Sequence, residues 1–382
     1  MSKHQNIRML LLLMGVIFIS MLSRLIFSPL LVFIQEDLSL TGKEAGSLFL
    51  MITLGFSPGM LLSGFISARL KHRGAIVFSL ILVALGMGIA AVSGSYSMMN
   101  VGLFILGFGT GIYPPSGIIS ITETFSQEKT GKALAIHELG PNLAYVGAPL
   151  LVVALFPLIG WRGILGTIFL LNLAILFLYR KYGLGGEGYG KQPNLRRLGD
   201  AVRNPQLWFC FLLYCIAMSA MQGLYSILPY YLITVKKLDP TTVNLLVGLS
   251  RISSILTLLI SGFMIDRFGF RLVIMAAFSV SGLSTLFMVG AKGSLLSFLV
   301  VLQPALLSAF YPAILLALSR IGPPESQNVT LSFVLSFSVL FGTGIIPAVF
   351  GWLTDRGKME YGFLLLGGAM LLAVGALHRN RF

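Results

Sequence analysis

Charge is the first thing this chain is short of. Of its 382 residues only 10% are Asp, Glu, Lys or Arg, and just 13 are acidic. An average soluble domain carries about 25% charged residues. So few charges cannot solvate the surface of a globule, which excludes a cytosolic enzyme and a disordered chain. Cysteine is nearly absent: Cys210 and Cys215 are the only two. They lie five apart in one apolar segment, on different helix faces, so a disulfide scaffold is excluded as well. Also missing are a Walker motif, a metal-ligand cluster and a catalytic cluster. His137-Glu138 begins like H-E-x-x-H, but the second ligand would fall on Pro141. No metal, no cofactor and no enzymatic activity are expected. The longest polar stretch, Tyr179 to Asn204, is too short for the soluble domain of a membrane sensor.

What the chain has instead is apolar length. Hydrophobic residues make up 56%, and mean hydropathy is +0.90. The 43 glycines and 16 prolines would be a warning in a soluble helical protein. Membrane helices tolerate both, because small residues allow close packing and neighbours satisfy freed backbone groups. Long apolar runs predict 12 spans near 7–34, 44–68, 74–93, 99–122, 132–156, 162–180, 205–234, 242–265, 272–291, 294–319, 328–352 and 361–378. Each suffices for a hydrocarbon core of roughly 30 Å. Lys3 and Arg8 before an apolar run resemble a signal peptide, but the run is too long and continues into further spans.

The net charge of +14 reads as topology rather than nucleic-acid binding. With the N-terminus inside, basic residues cluster on one side: Lys3 and Arg8, Arg69 to Arg73, Lys129 and Lys132, Arg180 to Arg203, Arg267, Arg271 and Arg320. The opposite loops hold only Lys43, Arg162, Lys236, Lys237, Lys292, Arg356 and Lys358. That asymmetry puts both termini in the cytoplasm, as an even span number requires, with a bacterial inner membrane as the expected location. Asn328-Val-Thr330 fits a glycosylation sequon but falls on the cytoplasmic side. Only Arg24 and Arg251 are left inside spans.

The sequence also repeats itself. At an offset of 198 residues, Gly64 to Arg69 meets Gly262 to Arg267, Tyr113-Pro114 meets Tyr311-Pro312, Pro149 meets Pro347 and Ser28 meets Ser226. The expectation is an all-α polytopic membrane protein: residues 1–180 and 205–382 form two pseudo-symmetric six-helix bundles, joined by a cytoplasmic linker over 181–204. Arg24 is then the repeat mate of Gln222.

Gly262-Phe-Met-Ile-Asp266-Arg267-Phe-Gly269-Phe-Arg271 resembles the signature of the major facilitator superfamily, G-x-x-x-D-R-x-G-R-[RK]. The first copy, Gly64 to Arg73, departs from it with Ala68 in place of Asp and Lys71 in place of Gly. The resemblance implies alternating access around a central cavity, with Asp266, Arg267 and Arg271 as a gate at its inner mouth. It also implies that Arg24 and Arg251 approach that cavity from opposite halves.

A mid-membrane arginine costs on the order of 3 kcal/mol on insertion scales and usually faces a cavity. A guanidinium fork fits a carboxylate, phosphonate or sulfonate. The pair resembles the monocarboxylate and oxalate–formate porter branches, although Val247 stands where the former often have Asp and the lysine of the latter has no counterpart. The alternative for each arginine is a structural bridge to Glu138 or to helix carbonyls. Gln222 and Tyr225, with Ser226, add hydrogen-bonding groups. Tyr113, Ser116, Ser120 and Glu123 form one polar stripe, and Glu138, Asn142 and Tyr145 a second. Tyr113, Asn142 and Tyr145 join the expected substrate-binding set. For proton coupling the first candidate is Glu138, expected to be partly desolvated within its span, followed by Glu123. His137 has a suitable intrinsic pKa but turns away from the Glu138 stripe.

The function expected is a secondary transporter of small organic anions, acting as a monomer in the bilayer with proton or sodium as coupling ion. Gly140-Pro141 and Gly147-Ala148-Pro149 partially match an antiporter motif. They support the alternative of a proton-coupled exporter of drugs or metabolites.

Overall fold

The computed structural model describes residues 3–190, 205–318 and 334–379. Among these, all regular structure is helical. The sequon at Asn328 and the linker beyond residue 190 lie outside them. In chain order the helices are α1 (Lys3–Leu25), α2 (Phe27–Asp37), α3 (Gly42–Ala91), α4 (Tyr96–Thr124), α5 (Gln127–His137), α6 (Leu139–Tyr182) and α7 (Pro205–Met218). They continue with α8 (Leu224–Thr234), α9 (Pro240–Phe268), α10 (Phe270–Gly290), α11 (Gly293–Leu307), α12 (Phe310–Leu318), α13 (Ile346–Thr354) and α14 (Met359–Arg379). Two wide π turns interrupt them, Ser219–Gly223 and Leu340–Ile345.

Among the described residues, ten runs are long and apolar enough to cross a membrane. Leu158, Leu259 and Leu372, each more than three-quarters exposed, belong to an apolar surface suited to lipid. Two runs are far longer than a bilayer needs and each contains one non-helical residue, Lys71 (φ 63°) and Gly160 (φ 61°). Lys71 occupies the place where the signature carries glycine. Gly269 at the equivalent place of the second copy has φ 77°. The turn therefore demands a left-handed backbone in both copies, and Lys71 adopts it at a steric cost that glycine escapes.

Three helix breaks fall four residues before a proline: Leu25 before Pro29, His137 before Pro141 and Ser308 before Pro312. Proline has no N–H for the i−4 carbonyl, and its ring crowds that carbonyl. Pro58, Pro114 and Pro115 remain inside continuous helices.

The chain separates into two compact units, residues 1–40 with 50–193, and residues 41–49 with 194–382. In the first, α1 packs along α6 and against α4. Asn172 of α6 donates to Ser23 Oγ at 3.0 Å, and Tyr113 of α4 donates to the Leu13 carbonyl at 2.9 Å. The segment after α6 lies as a strap over the same unit. Arg73 N donates to Gly186 O (2.8 Å), His72 N to Gly188 O (3.1 Å) and Gly190 N to Ser67 O (3.2 Å). Glu187 on this strap meets Lys71 Nζ at 3.5 Å and Arg73 Nη1 at 3.3 Å. The carboxylate missing at Ala68 is thus supplied to the loop's basic residues from elsewhere in the chain.

In the second unit, α10 packs on α14 and on α11, and α9 on α11. Residues 41–49 belong here because Asp355 accepts from the first amides of α3, Gly42 N at 2.6 Å and Lys43 N at 2.9 Å. A carboxylate suits the unsatisfied N–H groups and positive dipole end of a helix start. Cations serve the opposite ends. Lys236 donates to the carbonyls of Val289 (2.5 Å) and Ala291 (3.3 Å) at the C-terminal end of α10. Burial lowers its pKa, against the pull of Glu360 and with a smaller push from Lys292.

Candidate functional site

The first unit holds Arg24 in the last turn of α1, just before the break that Pro29 imposes. A cation is favoured at that end of a helix. The guanidinium is half-buried and lies over the Phe56 ring, 4.4 Å from its centroid. Tyr145 is close enough to act on it electrostatically. Arg24 makes no ion pair with a described carboxylate. The bridge to Glu138 is therefore not formed, because Glu138 has another partner: its Oε1 lies 3.1 Å from His137 Nδ1.

Glu138 lies in the apolar run Glu128–Tyr182, with 59% of its side-chain surface accessible. Pro141 breaks the helix at His137, leaving Glu138 at the junction of α5 and α6. Asn142 Nδ2 donates to the Glu138 carbonyl at 2.8 Å and so satisfies one oxygen of the junction. The buried member is His137, 2% exposed, whose Nε2 lies 2.8 Å from the hydroxyl of fully buried Tyr113. Tyr113, His137 and Glu138 thus form one hydrogen-bonded chain. Their sequence positions gave no sign of it, since His137 sits on a different helix face from the Glu138 stripe. Glu123 is elsewhere, exposed at the end of α4 beside the Gly188 backbone of the strap.

In the second unit Arg251 is buried on α9, 5% exposed. Its guanidinium lies over the Tyr225 ring, 4.2 Å from the centroid, and its Nη2 donates to the Met221 carbonyl at 3.2 Å. The wide turn in front of α8 prepares this place. Leu224 N bonds five residues back, to Ser219 O, rather than to Ala220 O. The Ala220 carbonyl is then free to accept from Gln303 Nε2 at 3.0 Å. Such wide turns recur at functional positions in helices. Gln222 lies within the turn, half-buried, with its amide 3.9 Å from Met218 Sδ.

Two buried polar residues near Arg251 escape the sequence reading. Gln303 is 3% exposed, and Asn244, two helical turns before Arg251 on the same face, is 2% exposed. Asn244 Oδ1 accepts from no described group. Each stands alone in an apolar run, where only tertiary contact distinguishes it from a packing residue. Of the expected gate, Asp266 and Arg267 are exposed, with Arg267 near the Phe263 and Phe268 rings. Arg271 donates to the carbonyls of Leu377 (2.5 and 3.0 Å) and His378 (2.9 Å), capping α14.

A polytopic chain whose described regular structure is all helical, with one buried and one half-buried arginine in apolar helices, fits the membrane transporters as a class. The profile of the Major Facilitator Superfamily matches residues 13–241 and 236–381. The chain belongs to that superfamily, and it is an integral membrane transporter rather than an enzyme.

A "Putative metabolite transport protein" of Haemophilus influenzae is 30% identical over 36% of this chain; the match covers only 34% of that protein. The "Probable nitrate/nitrite transporter NarK2" of Mycobacterium tuberculosis is 24% identical over 87% of this chain and 76% of its own length. The crystal structure of a D-xylose-proton symporter matches with a TM-score of 0.77 and 14% identity, over 99% of this chain and 98% of that one. At that identity the likeness speaks for the fold.

Proposed function

We propose that the protein is a secondary active transporter of small anions of carboxylate type, moving them with protons by alternating access. The observation that carries this reading is Arg251. Its guanidinium is buried in an apolar helix, with an aromatic ring on one face and one N–H on a backbone carbonyl. A desolvated fork of this kind suits a planar oxyanion. Arg24, with Phe56 and Tyr145, is a second anion-contacting group in its own unit, and Gln222 a neutral hydrogen-bonding one. A specific observation favours a neighbouring reading: the NarK2 relative is described by nitrate and nitrite, planar oxyanions that the same fork would accept.

Proton coupling is assigned to Glu138 with His137; Glu123 is the second candidate, and Asp266 with Arg267 belong to the gate. The two broken runs each cross the bilayer twice in this reading, for twelve crossings. Both termini are cytoplasmic, the membrane is a bacterial inner membrane, and the transporter is a monomer.

The test is uptake of labelled lactate, oxalate and nitrate into proteoliposomes, with and without an imposed pH gradient. Arg251→Lys keeps the charge but loses the fork, so affinity for the transported anion should fall at least tenfold. Glu138→Gln should retain exchange and lose gradient-driven accumulation. Transport by the parent protein of none of the three anions, or unchanged affinity in Arg251→Lys, would remove the anion reading.

A further inference from the structure

We propose that His137 is a proton-operated switch whose charge decides where Tyr113 places its hydroxyl proton: on the histidine ring or on the backbone of α1. The Tyr113 oxygen lies 2.8 Å from His137 Nε2 and 2.9 Å from the Leu13 carbonyl oxygen. A phenol has one proton, so it donates to one of them at a time. His137 Nδ1 is 3.1 Å from Glu138 Oε1. An ionised Glu138 only accepts, so with Glu138 ionised Nδ1 carries the proton at this distance.

Those constraints leave two states. With neutral His137 the ring proton is on Nδ1, bonded to Glu138, and Nε2 is an acceptor that takes the Tyr113 proton. With charged His137 both nitrogens donate. Nε2–H then occupies the Tyr113 oxygen, and the phenol proton turns to Leu13 O. The proton balance is simple. One proton from solvent ends on Nε2, Tyr113 keeps its own, and Glu138 remains a carboxylate that compensates the new charge.

Burial gives the switch its sharpness. Tyr113 and His137 are 0% and 2% exposed, so neither hydrogen bond has water as a substitute. The groups facing them are few. α4 contributes Tyr113, α1 the Leu13 carbonyl, the α5–α6 junction Glu138, and α6 Tyr179, which acts electrostatically on Tyr113. Arg73 and Glu187 act in turn on Tyr179. The helix that the switch grips is the one carrying Arg24, eleven residues beyond Leu13 or roughly 16 Å along the axis. That consequence for transport rests on the proton-coupled anion reading; the switch itself does not.

The experiment is ¹⁵N NMR of the full chain in lipid nanodiscs with labelled histidine, between pH 5 and pH 9. The signal of His137, one of four histidines, is assigned by its loss in His137→Gln. Neutral His137 should carry its proton on Nδ1. Glu138→Gln should lower the midpoint by roughly one pH unit, since a neighbouring opposite charge favours the imidazolium. Tyr113→Phe removes the partner of Nε2 in both states and with it the link from His137 to the Leu13 carbonyl. Leu/Met double labelling singles out the carbonyls of Leu13 and Leu50, the only leucines followed by methionine. The Leu13 carbonyl should shift with the His137 midpoint, and the shift should vanish in Tyr113→Phe. A neutral form protonated on Nε2, or a Leu13 carbonyl blind to pH, would each overturn the switch. If neither is seen and anion uptake ignores a pH gradient, symport fails and the switch stands.

Discussion

Lys71 shows at the scale of one residue how a departure from a signature is absorbed. The turn after the signature requires φ near +63° there, and a lysine pays a steric cost of about 1–3 kcal/mol for that conformation. Part of the compensation is the contact of its ammonium with Glu187 at 3.5 Å. That pair is exposed and contributes little, on the order of 0–1 kcal/mol. Strain and ion pair can be separated with two variants. Lys71→Ala loses the ion pair and keeps the strained backbone, whereas Lys71→Gly loses both. Chemical denaturation in detergent should find the glycine variant more stable than the alanine variant by about 1 kcal/mol. Equal stability would mean that the surrounding loop does not enforce the left-handed conformation.

Among the elements, the strap and the wide turns decide local geometry that helix propensity cannot. The strap over 183–190 is rich in glycine because it runs against side chains of α4 and the 67–73 loop. Gly186 has φ +68°, and a Cβ there would come within 2.6 Å of Ser120 Oγ. Gly186→Ala should therefore dislodge the strap, lowering the thermal midpoint and speeding tryptic cleavage at Lys191. Gly131→Ala on α5 is the control: a Cβ there meets nothing within 4 Å, and alanine should hold or raise the midpoint. The two wide turns of the second unit pack on each other through Gly223 and Gly342, whose Cβ would lie 2.6 Å from that of Met218. The first of them presents the Ala220 and Met221 carbonyls to Gln303 and Arg251. Arg251 therefore owes its orientation to a backbone irregularity as much as to its own helix.

For the whole molecule, the charge asymmetry of the loops makes a prediction about sidedness. With cytoplasmic termini, a cysteine replacing Lys43 should react with a membrane-impermeant maleimide in intact cells, and one replacing Lys129 only after permeabilisation. Native Cys210 and Cys215 are buried and free, so the background should be low. The reverse pattern would invert the topology. Much of the architecture was legible without coordinates, because membrane insertion depends on hydropathy, length and basic loops, all local properties of the chain. Several helix breaks are equally local, since a proline disrupts the carbonyl four residues before it. Arg24 and Arg251 were legible for the same reason: charge in an apolar run is conspicuous wherever it points. Tertiary structure alone decided what each polar group meets. It placed Glu138 at a helix junction beside His137, joined buried His137 to Tyr113 across two helices, and brought Gln303 to the Ala220 carbonyl of the wide turn. Hydrogen-bond partners separated by tens of residues leave no periodic trace in a sequence, because their distance is set by packing between helices rather than by spacing along one.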